Sequence, residues 1–187
     1  MKVYVDCGAY KGRTVKAFKE TVKNSEEFAI YAFEPNPFAK VHKKDREYTV
    51  FKKAVWIEDG EKKFYTNWKH RACQGATLLK EKTSGGLDKS KPMMVETVDF
   101  GKWIMETFKK DDTIIVKMDI EGAEFTVLPQ MIADGSIEYI NTLYIETHGD
   151  RIGLPPDAHE KLLETLDEIK TLDVREEFAH LTYKKDK

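Results

Sequence analysis

The 187-residue sequence holds only two cysteines, Cys7 and Cys73. They form neither a C-x-x-C pair nor a zinc-finger spacing. This excludes a disulfide scaffold and a cysteine-built metal centre, and it predicts a reduced, cytoplasmic protein. No run reaches the roughly 20 apolar residues of a membrane helix. Acidic and polar residues interrupt the N-terminus where a signal peptide would need an apolar core. Net charge is also scarce: 31 Lys and Arg against 33 Asp and Glu leave −2. No global field therefore draws the chain to nucleic acid or to an acidic membrane. Short basic pairs such as Lys52-Lys53 and Lys109-Lys110 have acids nearby and read as solvated surface. Repeats and low-complexity tracts are missing. What remains is an ordinary balance, 41% hydrophobic and 34% charged, which predicts one domain over residues 1–187 with a sizeable core.

Strand-like and helix-like pieces alternate along the chain. Strands are expected at Lys2–Val5, Phe28–Phe33, Tyr48–Val55, Lys62–Thr66, Met94–Val98, Thr113–Met118 and Thr142–Glu146. Helices are expected at Arg13–Lys23, Phe38–Lys44, Phe100–Phe108, Glu121–Ala133 and Asp157–Thr171, with Pro129 shortening or kinking the fourth. Val174–Tyr183 reads as one or two terminal strands. Residues 67–92 are polar and glycine-bearing, and a loop of that length suggests a mobile lid over a substrate. The alternation predicts a mostly parallel sheet with helices on both faces. Ligands then bind beyond the carboxyl ends of the strands, and the chemically distinctive residues stand there.

The first strand ends in Asp6-Cys7-Gly8-Ala9-Tyr10-Lys11-Gly12. Gly8 permits a sharp turn, and Gly12 opens a helix whose free amides face the loop. The G-x-x-x-G spacing is neither the dinucleotide fingerprint nor a P-loop. The second strand ends in Phe33-Glu34-Pro35-Asn36-Pro37. Glu34 is placed to accept hydrogen bonds from both hydroxyls of a ribose, on a turn stiffened by Pro35. After Thr113–Met118 come Asp119, Glu121 and Glu124. Asp119 is expected at the strand tip, with Glu121 and Glu124 on one helix face, where acids also suit a helix start. Past Thr142–Glu146 stands His148, two residues after Glu146. It is either a general base or a satisfied polar residue.

A rim of Asp6, Glu34, Asp119 and Glu146, with Glu121 beside it, would repel a pyrophosphate. It would attract a cation that carries a ribose and no phosphate, and S-adenosylmethionine is such a molecule. A nicotinamide enzyme is disfavoured on the same ground.

The ordered segments VDCGAYKG, FEPNP, KKAVW, VETVDF, IIVKMDIEGAE and YIETH resemble the FkbM-type methyltransferases over residues 3 to about 148. The resemblance implies a Rossmann-like class I methyltransferase fold and S-adenosylmethionine as cofactor. It further implies O-methylation of a sugar or small-molecule hydroxyl. Carried over by position, Asp6, Gly8, Ala9, Tyr10 and Gly12 form the first cofactor loop. Glu34, with Pro35, holds the ribose, Ala54 and Val55 line the adenine side, and Asp119 stands by the methyl group. Asn67, Gln74, Thr77 and Glu146 are the expected acceptor contacts. Tyr10 stands where the family often has asparagine. The fold usually closes with an antiparallel pair of strands, for which only Val174–Tyr183 remains, so the far edge is expected to be abbreviated or completed by another subunit.

The expected mechanism is direct attack of a hydroxyl on the methyl carbon. His148 is the first candidate base, and Asp119 and Glu121 come next. A divalent ion on Asp119, Glu146 and His148 is an alternative not preferred over a metal-free site. A non-catalytic cofactor-binding module is the rival from another class.

Overall fold

The computed structural model describes residues 1–40 and 48–176. Its strands are β1 (Lys2–Cys7), β2 (Phe28–Phe33), β3 (Thr49–Phe51), β4 (Lys53–Trp56), β5 (Gly60–Phe64), β6 (Met93–Asp99), β7 (Thr113–Met118), β8 (Thr142–Ile145) and β9 (Asp173–Arg175). Its α-helices are α1 (Arg13–Thr21), α2 (Phe100–Thr107), α3 (Glu124–Asp134) and α4 (Ala158–Asp167). Six strands form a sheet in the order β3-β2-β1-β7-β8-β9, and every pairing in it is parallel. The order reverses between β1 and β7, which places the expected ligand crevice beyond the ends of those two strands.

Side-chain alternation builds a layer on each face. Val3, Val5 and Cys7 join the large cluster that includes Phe100 and Ile104 of α2 and Val127 and Leu128 of α3. Tyr4 points the other way, into a smaller cluster with Val15 and Phe18 of α1, and stacks on Phe18 with ring centroids 4.0 Å apart. Covered on both faces, β1 and β7 need the near-continuous apolar runs they have.

The segment expected as one strand at Tyr48–Val55 is two. β3 closes one edge of the main sheet, and after Lys52 the chain enters a second sheet, β4-β6-β5. There β4 runs parallel to β6 and β5 antiparallel to it. The apolar alternation continues through the change of sheet and hides it. The helix expected from Glu121 starts at Glu124 instead. Glu121 and Gly122 have φ of 59° and 107°, which a right-handed helix cannot include; Pro129 stands inside the helix that follows. The last helix is shorter than Asp157–Thr171 at both ends. Phe38 and Ala39 form a turn, and the rest of the helix expected at Phe38–Lys44 falls mostly outside the described residues. At the far edge β9 lies parallel to β8, and the expected strands beyond residue 176 fall outside the described residues. Among the described residues no helix is long and apolar enough to cross a membrane.

Candidate active site

A cleft of about 400 Å³ opens beyond the ends of β1, β2, β7 and β8, with residues 73–78, Lys82, Ser84 and Gly85 along one wall. Gly8 makes its floor possible. A Cβ there would lie 1.9 Å from the carbonyl oxygen of Asp119, and Asp119 N–H donates to Cys7 O at 3.2 Å. The missing side chain thus serves contact between β1 and the end of β7. Gly8 and Ala9 N–H both donate to Phe33 O at 3.0 Å, tying the loop to β2. Tyr10 is left-handed at φ 50°, a conformation asparagine adopts far more readily than tyrosine. Gly12 caps α1 at φ 80°. Asp6 is buried, accepts a hydrogen bond from the Thr14 hydroxyl, and stands behind the cleft wall. Burial raises its pKa against the pull of Lys117.

Glu34 is 6% exposed at the end of β2. Its Oε2 accepts from Tyr10 N–H at 2.6 Å and its Oε1 from Asn36 N–H at 2.7 Å. Asn36 is fixed in turn, since its Oδ1 accepts from Phe38 N–H and its amide donates to Arg71 O. Burial pushes the Glu34 pKa up to about 7, opposed by the two backbone N–H groups and by Lys52. Beside it Ala54, Val55, Phe64, Ala76 and Leu78 give the cleft an apolar wall.

The other end of the cleft is crowded with charge. Lys117, buried on β7, places Nζ 3.2 Å from Asp119 Oδ2 and 3.6 Å from Asp6 Oδ1, and donates to Gly8 O at 3.3 Å. Burial alone would lower its pKa, but the two carboxylates outweigh that and raise it. Lys82 is 1% exposed. It donates to Gly75 O at 2.8 Å and pairs with Glu121 Oε2 at 2.7 Å. Arg151 lies 3.7 Å from the same oxygen. Burial raises the pKa of Glu121 against His148 and Lys82. Glu124 is 0% exposed and accepts from Ile120 N–H at 2.7 Å and Gly122 N–H at 2.8 Å, which holds the left-handed turn. Its Oε1 also lies 3.3 Å from His148 Nδ1.

His148 is 1% exposed. Its Nε2 faces Glu146 Oε1 at 3.6 Å, Glu121 Oε2 at 3.7 Å and Asp119 Oδ1 at 3.9 Å. Burial would lower its pKa, but the Glu124 and Glu146 carboxylates, with Glu121, push it up to about 10. The surrounding carboxylates therefore favour the protonated ring.

Gly8, Ala9, Tyr10, Glu34, Pro35, Ala54, Val55, Gln74, Thr77, Asp119, Glu121, Glu146 and His148 all line this one cleft. Asn67 does not: its amide donates to Gly85 O and its Oδ1 accepts from Lys69 and His70 N–H, so it braces the loop from outside. Glu121 and Glu124 do not share a helix face, because Glu121 precedes the helix. The acidic rim is also less bare than the sequence suggests, since Lys117 and Lys82 sit inside it. A lysine within the apolar run Ile114–Met118 was the signal for the first, because buried lysines are paired. Lys82 and Ser84 lie in a polar loop that offers no such signal.

A parallel sheet of this order, an acid at the tip of its second strand and a crevice at the switch point define a Rossmann-like methyltransferase fold. The sequence model of the methyltransferase FkbM domain matches residues 6–184, nearly the whole chain, and the protein belongs to that family. No curated protein and no solved structure matches the chain.

Proposed function

We propose that this methyltransferase moves a methyl group from S-adenosylmethionine to a hydroxyl of a sugar or other small molecule. The observation that carries the reading is Glu34: a nearly buried carboxylate, gripped by two backbone N–H groups, that still lines the cleft. Each of its oxygens keeps a lone pair for a ribose hydroxyl. Ala54, Val55 and Leu78 offer an apolar slot to an adenine, and the acids at the far end favour a cationic methyl donor. The donor supplies an electrophilic methyl group next to a positive sulfur.

The chain's own residues do the rest. Gln74 and Glu146 line the acceptor side and can orient a hydroxyl by hydrogen bonding. The wall of residues 73–78 limits the access of water. The carboxylates around His148 favour its protonated form, so we assign Asp119 as the group that accepts the hydroxyl proton as the new C–O bond forms. Lys117 fixes one Asp119 oxygen and leaves Oδ1 turned towards His148. His148 steadies the carboxylates around it.

Calorimetry with S-adenosylmethionine and S-adenosylhomocysteine tests the reading, followed by a screen of hydroxylated acceptors. Both ligands should bind one per chain. Asp119→Asn should keep that binding and lose about a hundredfold or more in turnover. Failure of both ligands to bind overturns the proposal. Binding without turnover on any hydroxylated acceptor would make the chain a binding module.

A further inference from the structure

His148 is nearly fully buried, yet its Nε2 meets three carboxylate oxygens at 3.6, 3.7 and 3.9 Å. All three distances exceed an N–H···O hydrogen bond of about 2.7–3.2 Å. Each falls between the about 3 Å and about 4.2 Å that separate two ligands about 2.1 Å from one ion, at right angles and across it. The shell behind the ring is also built. Among the described residues Asp119, Glu124 and His148 bring ligand atoms within 4.8 Å of one another, but the Glu124 oxygens already accept from Ile120 N–H, Gly122 N–H and the Nδ1 side of His148. Glu124 is thus the carboxylate that orients a metal-binding imidazole from behind. Lys117 occupies Asp119 Oδ2 and leaves Oδ1 facing Nε2. Lys82 holds Glu121, with Arg151 beside it, so Glu121 neighbours the centre without being free for it.

We propose that His148 Nε2, Asp119 Oδ1 and Glu146 Oε1 form a binding site for one divalent cation at the reactive end of the cleft. One nitrogen and two carboxylate ligands suit a borderline ion such as Mn²⁺ or Zn²⁺ better than Ca²⁺. Three protein ligands leave positions for oxygens from the cleft, as in a catalytic rather than a structural site. An ion there would lower the pKa of a bound hydroxyl, which then gives its proton to water, so in the ion-loaded site Asp119 is a ligand rather than the proton acceptor. That catalytic role rests on the methyltransferase reading above, whereas the ion site stands on the side chains alone. A proton on Nε2 and an ion beside it are alternative ways to balance the same carboxylates.

The test is titration of Mn²⁺ into the full chain, following the free-ion paramagnetic resonance signal. The wild type should take up one ion per chain. His148→Ala should abolish uptake. Glu146→Gln, at a side chain 43% exposed that can change without disturbing the core, should weaken it at least tenfold. Glu124→Gln should weaken it about ten- to hundredfold. No stoichiometric uptake by the wild type, or equal uptake by the wild type and Glu146→Gln, overturns the site. Calorimetry with S-adenosylhomocysteine on the same samples separates the two readings. Nucleoside binding without Mn²⁺ uptake removes the ion site and leaves the methyl donor. Mn²⁺ uptake without nucleoside binding does the reverse.

Discussion

At the end of β2 one carboxylate, Glu34, is held by two backbone N–H groups. At the ends of β7 and β8, four carboxylates are held by two buried lysines and one imidazole. Backbone donors are fixed by the fold and change little when a ligand arrives. Side-chain ions are mutually dependent, so removing one leaves its partners buried and unpaired. The contrast fits a division of labour. On the proposed function, the first end recognises a constant group, the adenosyl moiety, and the second shifts charge during the reaction.

The most severe way to break the comparison is Lys117→Met. If the reactive end is one coupled ion cluster, this change strands Asp6 and Asp119 beside each other and should cost about 3–5 kcal/mol of stability. Denaturant unfolding measures it. Adding Asp6→Asn should recover part of the loss, because the stranded buried charge is then gone. A cost below about 1 kcal/mol for the single change would mean that the cluster behaves as ordinary surface charge.

Next in size is Glu34→Ala. If Glu34 holds two ribose hydroxyls as proposed, its removal should weaken S-adenosylhomocysteine about a hundredfold, from roughly 1.5–3 kcal/mol per charged hydrogen bond with partial compensation by water. Calorimetry reads it directly. Unchanged affinity would remove Glu34 from ligand recognition and with it the distinction between the two ends.

The same contrast explains what was legible in the sequence. β1, β2, β7 and β8 were clear because strands buried on both faces must be apolar throughout, and the acids that follow them stand out against those runs. Glu34 was clear for that reason. The break at Lys52 was not, since β3 and β4 keep one alternating pattern while they join different sheets. The late start of α3 depends on left-handed Glu121, which only the neighbouring Gly122 hints at. His148, Asp119 and Glu146 could be placed on one rim but not at given distances, because those depend on the register of β7 against β8. Lys82 reaches the site from a loop whose composition carries no period, so only the folded chain reveals its pairing with Glu121.

The smallest effect sharpens the comparison without disturbing the fold. Burial raises the Glu34 pKa from 4.5 to about 7. In the ligand-free protein the proton is therefore held more tightly than in the unfolded chain. That contribution to stability is fully present below about 4.5 and is lost as the pH rises through about 7. Ligand binding should run the opposite way, because a ribose hydroxyl donates best to the ionised carboxylate. If only the ionised form binds, affinity for S-adenosylhomocysteine should rise about tenfold between about pH 6 and pH 8. Calorimetry across that range measures the slope, and Glu34→Gln isolates it. The amide cannot ionise, and its NH₂ must oppose one of the two backbone N–H donors, so binding should be weaker and its Glu34-dependent slope absent. A flat profile in the wild type, or the same slope in Glu34→Gln, would show that Glu34 does not ionise on binding and that both ends handle charge alike.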